Sequence, residues 1–147
     1  AFSTATVPRF LGPTISDMKS VEFNSLASVV FLNAGGKFTF KPLPDEAQLS
    51  PAFDICVADF AGDGVSDMFL AQNDFGVPAR YSRYDSGRGL LLTGDGKGGF
   101  QPQKGQRSGI TIYGEQRGAV VADFNGDKKP DLAVTQRDAE TKLYLKR

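Results

Sequence analysis

The chain has 147 residues and sets 17 Lys+Arg against 17 Asp+Glu, a size suited to one domain and a balance that argues against a nucleic-acid binder driven by net charge while leaving a local basic patch open. It has no His, no Trp and one Cys, which removes a Ser-His-Asp triad, a Cys-His pair, a His-ligated zinc site and an internal disulfide. Apolar runs are strand-sized, far short of the ~18 residues of a membrane span.

Of the acids, 13 are Asp and 4 are Glu, alongside 17 Gly and 8 Pro. Asp favours turns and metal loops where Glu favours helices, so strands joined by shaped turns are expected. Residues 1–28 give no clear element, because Pro8, Gly12 and Pro13 interrupt them. The stretch Ala27 to Asn33, the turn Ala34-Gly35-Gly36 and the alternating Lys37 to Phe40 read as a β-hairpin. Phe53 to Phe60 is the next strand, and Met68 to Gln72 follows an acidic loop. Asn73 to Gly89 is a long polar connection, read either as a functional insertion or as a disordered tip. The hairpin then returns as Gly89 to Thr93, a Gly94-to-Gly98 turn and Gly99 to Gln101. Gly118 to Phe124, a second acidic loop and Leu132 to Gln136 follow, and Thr141 to Lys146 reads as the first strand of one more hairpin.

Phe38 matches Phe100 and Asp59 matches Asp123, a repeat of 62 to 64 residues. Each unit reads strand, acidic loop, strand, connection, hairpin. Four strands per unit is the blade of a β-propeller. The expected fold is therefore all-β, with four-stranded antiparallel propeller-type blades in an incomplete ring. As a domain, 1–147 divides into an unassigned 1–28, repeat one at 29–88 and repeat two at 89–147.

The acidic loops carry the expected chemistry. Loop one runs Asp59 to Asp67 and loop two Asp123 to Asp131, each with Asp at loop positions 1, 5 and 9. A hard cation such as Ca²⁺ takes about six to eight oxygens, and alternate residues of a tight loop turn theirs inward. Asp59, Asp63 and Asp67 in loop one, and Asp123, Asn125, Asp127 and Asp131 in loop two, are the expected side-chain ligands. Val65 and Lys129, at position 7, would each give a backbone carbonyl. Ala61 leaves loop one a ligand short, and Lys128 replaces the glycine expected at position 6 of loop two. An EF-hand needs Glu at position 12, where Leu70 and Val134 stand. The plain alternative is a pair of Asp/Gly turns.

The blocks VADFAGDGVSDMFLAQN and VVADFNGDKKPDLAVTQ resemble the FG-GAP/VCBS repeat of integrin-type β-propellers, and FLNAGGKF and LLTGDGKGGF resemble the turn that follows in it. The resemblance covers roughly 27 to 147 and implies a blade with Ca²⁺ between its first two strands. Such propellers have more blades than this chain supplies, which implies a homo-oligomer or a larger propeller, since open blades leave unpaired edges.

Elsewhere, Cys56 between Ile55 and Val57 reads as a buried, inert thiol. Phe38, Phe40, Phe60, Phe100 and Phe124 read as packing between blades. Arg80, Arg83 and Arg88, with Tyr81 and Tyr84, suit a sugar or an acidic partner, or simply a solvated loop. Gly94 to Gly99 lacks P-loop spacing. The expected function is a Ca²⁺-stabilised, non-enzymatic binding or adhesion module with a protein or carbohydrate ligand, no nucleic acid and no membrane span, secreted or extracytoplasmic. The alternatives are a Ca²⁺-assisted polysaccharide lyase or glycosidase, with an acid such as Glu115 in a cleft, or a structural assembly subunit.

Overall fold

The computed structural model describes residues 4–147. Its strands are β1 (Val29–Ala34), β2 (Lys37–Pro42), β3 (Ala52–Ala58), β4 (Asp67–Gln72), β5 (Leu90–Gly94), β6 (Phe100–Gln103), β7 (Gln116–Ala122), β8 (Asp131–Gln136) and β9 (Ala139–Tyr144). They form three antiparallel sheets, β1-β2, β3-β4-β5-β6 and β7-β8-β9, so the all-β expectation holds. The described residues form no closed ring. The β4–β5 pairing joins the two sides of the 88/89 repeat boundary within one sheet. Thr141 to Lys146, read as the first strand of one more hairpin, overlaps β9, which pairs with β8 as β5, the first strand of the β5-β6 hairpin, pairs with β4.

The amino-terminal expectation needs correction. Val7–Leu11 is a short helix, α1, and Gly12–Asp17 a 3-10 helix. Pro8 and Pro13 do not break these elements. Each sits in the first two helical positions, where proline's missing N–H has no partner to lose. A second short helix, α2 (Gly105–Ser108), lies in the β6–β7 connection and has no apolar periodicity to announce it.

In the middle sheet, β4 is covered on both faces. Side chains alternate along a strand, so Met68 and Leu70 of β4 point one way and Phe69 and Ala71 the other. Met68 and Leu70 join Leu43, Ala47 and Leu92 under the β1-β2 hairpin, with Val30 and Phe100 against them. Phe69 and Ala71 join Cys56, Leu91, Ile110, Ile112, Leu132 and Val134 at the contact with the third sheet. Every residue of β4 is buried as a result. Burying a side chain such as Phe69 or Leu70 contributes about 1.5–3 kcal/mol.

The repeat also appears in the register. The β3–β4 pairing slips between Ala52 and Asp54, and the β7–β8 pairing slips between Gln116 and Gly118, 64 residues on. These bulges place Phe53 beside Arg117, whose guanidinium lies 3.7 Å from the ring centroid. Asp54 spans the two sheets, its Oδ2 accepting the Ala119 N–H at 2.8 Å.

The outermost faces lack such cover. Ala119 and Val121 of β7 pack against the core. Their repeat equivalents, Ile55 and Val57 of β3, remain 53 % and 60 % exposed because the first sheet has only two strands to lay over them. Val120 and Leu143 are exposed on the far side of the third sheet, and Phe31, Phe38 and Phe40 on the far side of the first. Of the aromatics expected to pack, Phe60 and Phe100 reach the core. Phe38, Phe40 and Phe124 are exposed.

Candidate functional site

Both acidic loops connect the first two strands of a unit at one end of the sheets. Each is wound around its first aspartate. Asp59 Oδ1 accepts the N–H groups of Gly62 and Asp63, and Oδ2 that of Gly64. Asp123 repeats this with Gly126, Asp127 and Lys128. The Gly64 N–H in one loop and the Lys128 N–H in the other do most to hold these carboxyls below the usual aspartate range. Position 5 closes the second half of each turn: Asp63 Oδ1 accepts from Val65 N–H and Asp127 Oδ1 from Lys129 N–H, both at 2.9 Å.

Position 9 serves differently. Asp67 and Asp131 are completely buried. Asp67 accepts from Ala61 N–H at 2.7 Å and from Gly94 N–H, in β5, at 2.9 Å. Asp131 accepts from Phe124 N–H at 2.9 Å and from Lys146 N–H, just past β9, at 2.8 Å. The last aspartate thus ties its loop to the third strand of its own sheet.

The expected side-chain ligands of a cation are therefore all engaged with backbone N–H groups. Among the described residues, no group of three or more acidic side chains stands close enough to hold a metal ion. A hydrogen-bonded carboxylate oxygen keeps a second lone pair. By donor chemistry loop two suits a hard cation better, because Asn125 offers an amide oxygen, already accepting from Asp127 N–H at 2.9 Å, where loop one has Ala61.

At the opposite end of the sheets, the Asn73-to-Gly89 connection is folded, with Asp74 and Tyr84 bridged by a pair of backbone hydrogen bonds. Its anchor is Asn73, fully buried at a φ of 92°. The Asn73 amide donates to Gly87 O at 3.0 Å and Gly114 O at 2.9 Å, and accepts from Gly87 N–H at 2.8 Å and Ser50 Oγ at 3.1 Å. The sequence signal that could have found it is an Asn directly after a strand, a residue type that tolerates left-handed backbone.

Beside that anchor, Glu115 is buried. Its Oε1 accepts the Phe75 N–H at 3.0 Å and a bond from Arg117, and its Oε2 lies 3.9 Å from Arg137 Nε. Arg117 also reaches Asp74 at 3.5 Å. Asp74 sits below the usual aspartate range, chiefly through the Gly76 N–H. Glu115 was singled out from the sequence; Arg117 and Arg137 were not, because nothing local marks their convergence. Cys56 is buried, and burial first, then Asp54, pushes its thiol up, away from the reactive thiolate. In the glycine-rich turn, Asp95 Oδ1 accepts from Lys97 and Gly99 N–H, both at 2.7 Å, which closes a hairpin.

No family model matches the chain, and no solved structure matches it. Among curated proteins, integrin alpha-4 of Xenopus laevis is 28 % identical over 97 residues, covering 62 % of this chain. The chain matches only 9 % of that protein's length. This similarity, with the β-rich architecture, supports an integrin-like repeat. Among the described residues, no helix is long and apolar enough to cross a membrane.

Proposed function

We propose that the chain is part of a non-enzymatic, adhesion-type binding module of β-propeller kind, working outside the cytoplasm. Its sheets would be consecutive FG-GAP/VCBS-type blades of a ring that further repeats complete, either in a second copy or in a longer propeller. The observation that carries this reading is the mismatch between equivalent positions. Ala119 and Val121 are packed, whereas Ile55 and Val57, 64 residues earlier, are bare. A further unit stacked in the same sense would cover them. The similarity to integrin alpha-4 supports the adhesion-type reading.

Ca²⁺ belongs to this reading as a stabiliser of loop two. Asp123, Asn125, Asp127 and Asp131, with the Lys129 carbonyl, would hold it, and its charge would offset the crowded carboxylates. A cation that binds only the folded chain raises stability by mass action. Loop one, with Asp59, Asp63, Asp67 and the Val65 carbonyl, would bind more weakly. The test is calorimetric titration of Ca²⁺ into chelator-stripped protein, with melting followed in parallel. A rise in melting temperature that Asp127→Ala removes is the expected result. No heat and no shift up to about 10⁻³ M, the range of weak extracellular sites, would reduce both loops to turns.

A further inference from the structure

The amino-terminal segment carries a third copy of a pattern that both acidic loops share. Phe10, Gly12 and Asp17 have the same spacing as Phe60, Gly62 and Asp67, and as Phe124, Gly126 and Asp131. Ser16-Asp17-Met18 also repeats Ser66-Asp67-Met68 letter for letter. The backbone agrees with the letters. Gly12, Gly62 and Gly126 all have positive φ, at 58°, 82° and 82°, a region that residues with a Cβ rarely enter. The copy is degenerate. Arg9 and Pro13 stand where the other loops have Asp59 with Asp63 and Asp123 with Asp127. It has lost the carboxylates that close the turn and kept the one that, in the other two loops, ties the loop to a third strand.

The strand that Asp17 would tie is present. β1 and β2 correspond to β5 and β6, since Asn33 faces Phe38 as Gly94 faces Phe100. Gly94 gives its N–H to Asp67, and Asn33 is its equivalent. Ala34 and Lys37 close a two-residue turn, so the next pair, Asn33 and Phe38, exchanges no backbone bonds and the Asn33 N–H points away from β2. On that side β5 pairs with β4, whereas β1 has no neighbouring strand among the described residues. The same correspondence sets Phe31, 63 % exposed, at the place of the fully buried Leu92. Ile55 and Val57 of β3 are exposed as well, although Phe69 and Ala71 of β4 share a core with their equivalents Ala119 and Val121. A bare edge and a bare face thus call for one and the same strand, and residues 17–22 follow the loop copy as β4 follows its own loop.

We infer that the free edge of β1 and the exposed face of β3 form a docking surface for the chain's own residues 17–22. They pair with β1 in the register of β4 with β5, with Met18 opposite Phe31 and the Asp17 carboxylate on the Asn33 N–H. This rests on the propeller reading and names an occupant for the face that reading leaves bare. In the structure the segment stands off: a 3-10 helix runs to Asp17, and Met18, Val21, Phe23 and Leu26 are exposed. The undocked state dominates because Lys19 and Ser20 stand at the places of Phe69 and Leu70, so the strand buries little against the entropy lost in ordering it. Docking sets Met18 beside Phe31 on the outer face, where a further stacked unit would cover both and hold the strand. The segment is a blade strand that folds on assembly.

The test traps the docked state in the full chain by disulfide formation in oxidised glutathione, with peptide mapping to assign the bond. Met18→Cys with Phe31→Cys makes a pair that docking brings to a Cα separation of about 5.5 Å, inside the range a disulfide accepts. Glu22→Cys with Phe31→Cys is the control. Its loop is shorter, so a flexible chain closes it at least as readily, but the docked register holds it about 13 Å apart. All three positions are exposed. The Met18 pair is expected to oxidise at least tenfold faster than the Glu22 pair, and Asp17→Ala to slow it about tenfold through loss of a charge-assisted hydrogen bond. Val57→Ser should then lower the urea midpoint of the oxidised form and leave that of the reduced form in place. Equal or reversed rates for the two pairs, indifference to Asp17→Ala, or an oxidised form blind to Val57→Ser would each overturn the proposal. If Ca²⁺ raises the melting temperature while the Met18 pair fails, only the docking proposal falls and the module reading stands.

Discussion

The two acidic loops share a plan and differ where their sequences differ. Both wind three N–H groups around the first aspartate and bury the last one against the third strand. Loop one places Gly64 at a φ of 82°, and the equivalent residue of loop two is Lys128 at 65°. Loop two has Asn125 as an extra acceptor, while loop one has its Asp59 carbonyl bonded by Lys146 Nζ at 3.2 Å. Loop one is thus relaxed in its backbone and tied to the neighbouring sheet. Loop two is strained at one residue and richer in oxygen donors. Repeats preserve the hydrogen-bonding skeleton and let the details trade backbone comfort against ligand chemistry.

The largest effect should come from the shared feature. Asp67→Ala and Asp131→Ala each strand two N–H groups and should cost roughly 3 kcal/mol, read as a fall in the urea midpoint. Equal losses would support equivalent loops, and a loss confined to one would break the comparison. Next come the covered and uncovered faces. Val121→Ser should cost about 1–2 kcal/mol through lost burial. Its equivalent Val57→Ser, at an exposed position, should stay within about 0.5 kcal/mol. A large cost at Val57 would mean that a second copy covers it in solution, which sedimentation equilibrium would detect.

The loop backbones should separate more gently. Gly64→Lys introduces a side chain into open space, so its cost is backbone strain alone, about 1–2 kcal/mol. Lys128→Gly removes that strain but adds freedom to the unfolded chain, for a net change within about 1 kcal/mol. The smallest effect is acid sensitivity. Asp59, Asp74, Asp95 and Asp123 are all held below the usual aspartate value, each chiefly by a backbone N–H. Their folded forms bind protons less readily than the unfolded chain. Their stabilisation is therefore present above the unfolded value of about 3.9 and lost as pH falls through the folded ones. Urea midpoints should hold from pH 7 to 5 and fall below 4.

What was legible in the sequence was whatever short-range chemistry dictates. The Ala34-Gly35-Gly36 turn, the Asp-Gly loops and the alternation of Lys37 to Phe40 announced their own geometry, and the 64-residue spacing of Asp59 and Asp123 announced the repeat. The helices α1 and α2 are only 5 and 4 residues long, too short for a 3.6-residue period to register. The anchoring roles of Asn73 and Glu115 are not legible because the backbone groups of Gly87, Gly114 and Phe75 that they bind lie 14 to 41 residues away. Long-range convergence leaves no mark on neighbouring residues. The expectation of metal ligands rests on spacing, yet the same spacing serves the backbone N–H groups of the turn, and sequence alone does not separate the two uses.

The double cover of β4 has a consequence for how the molecule breathes. Its amides pair with strands on both sides, and both its faces lie under other sheets. Solvent deuterons can reach them only when three sheets part together, whereas the β1-β2 hairpin can peel away alone. Deuterium uptake should therefore follow a gradient, fastest in β1 and β2 and slowest in β4. Any binding event that stacks another unit on Ile55 and Val57 would be felt as slowed uptake at β3 and the hairpin, with no change of fold at all.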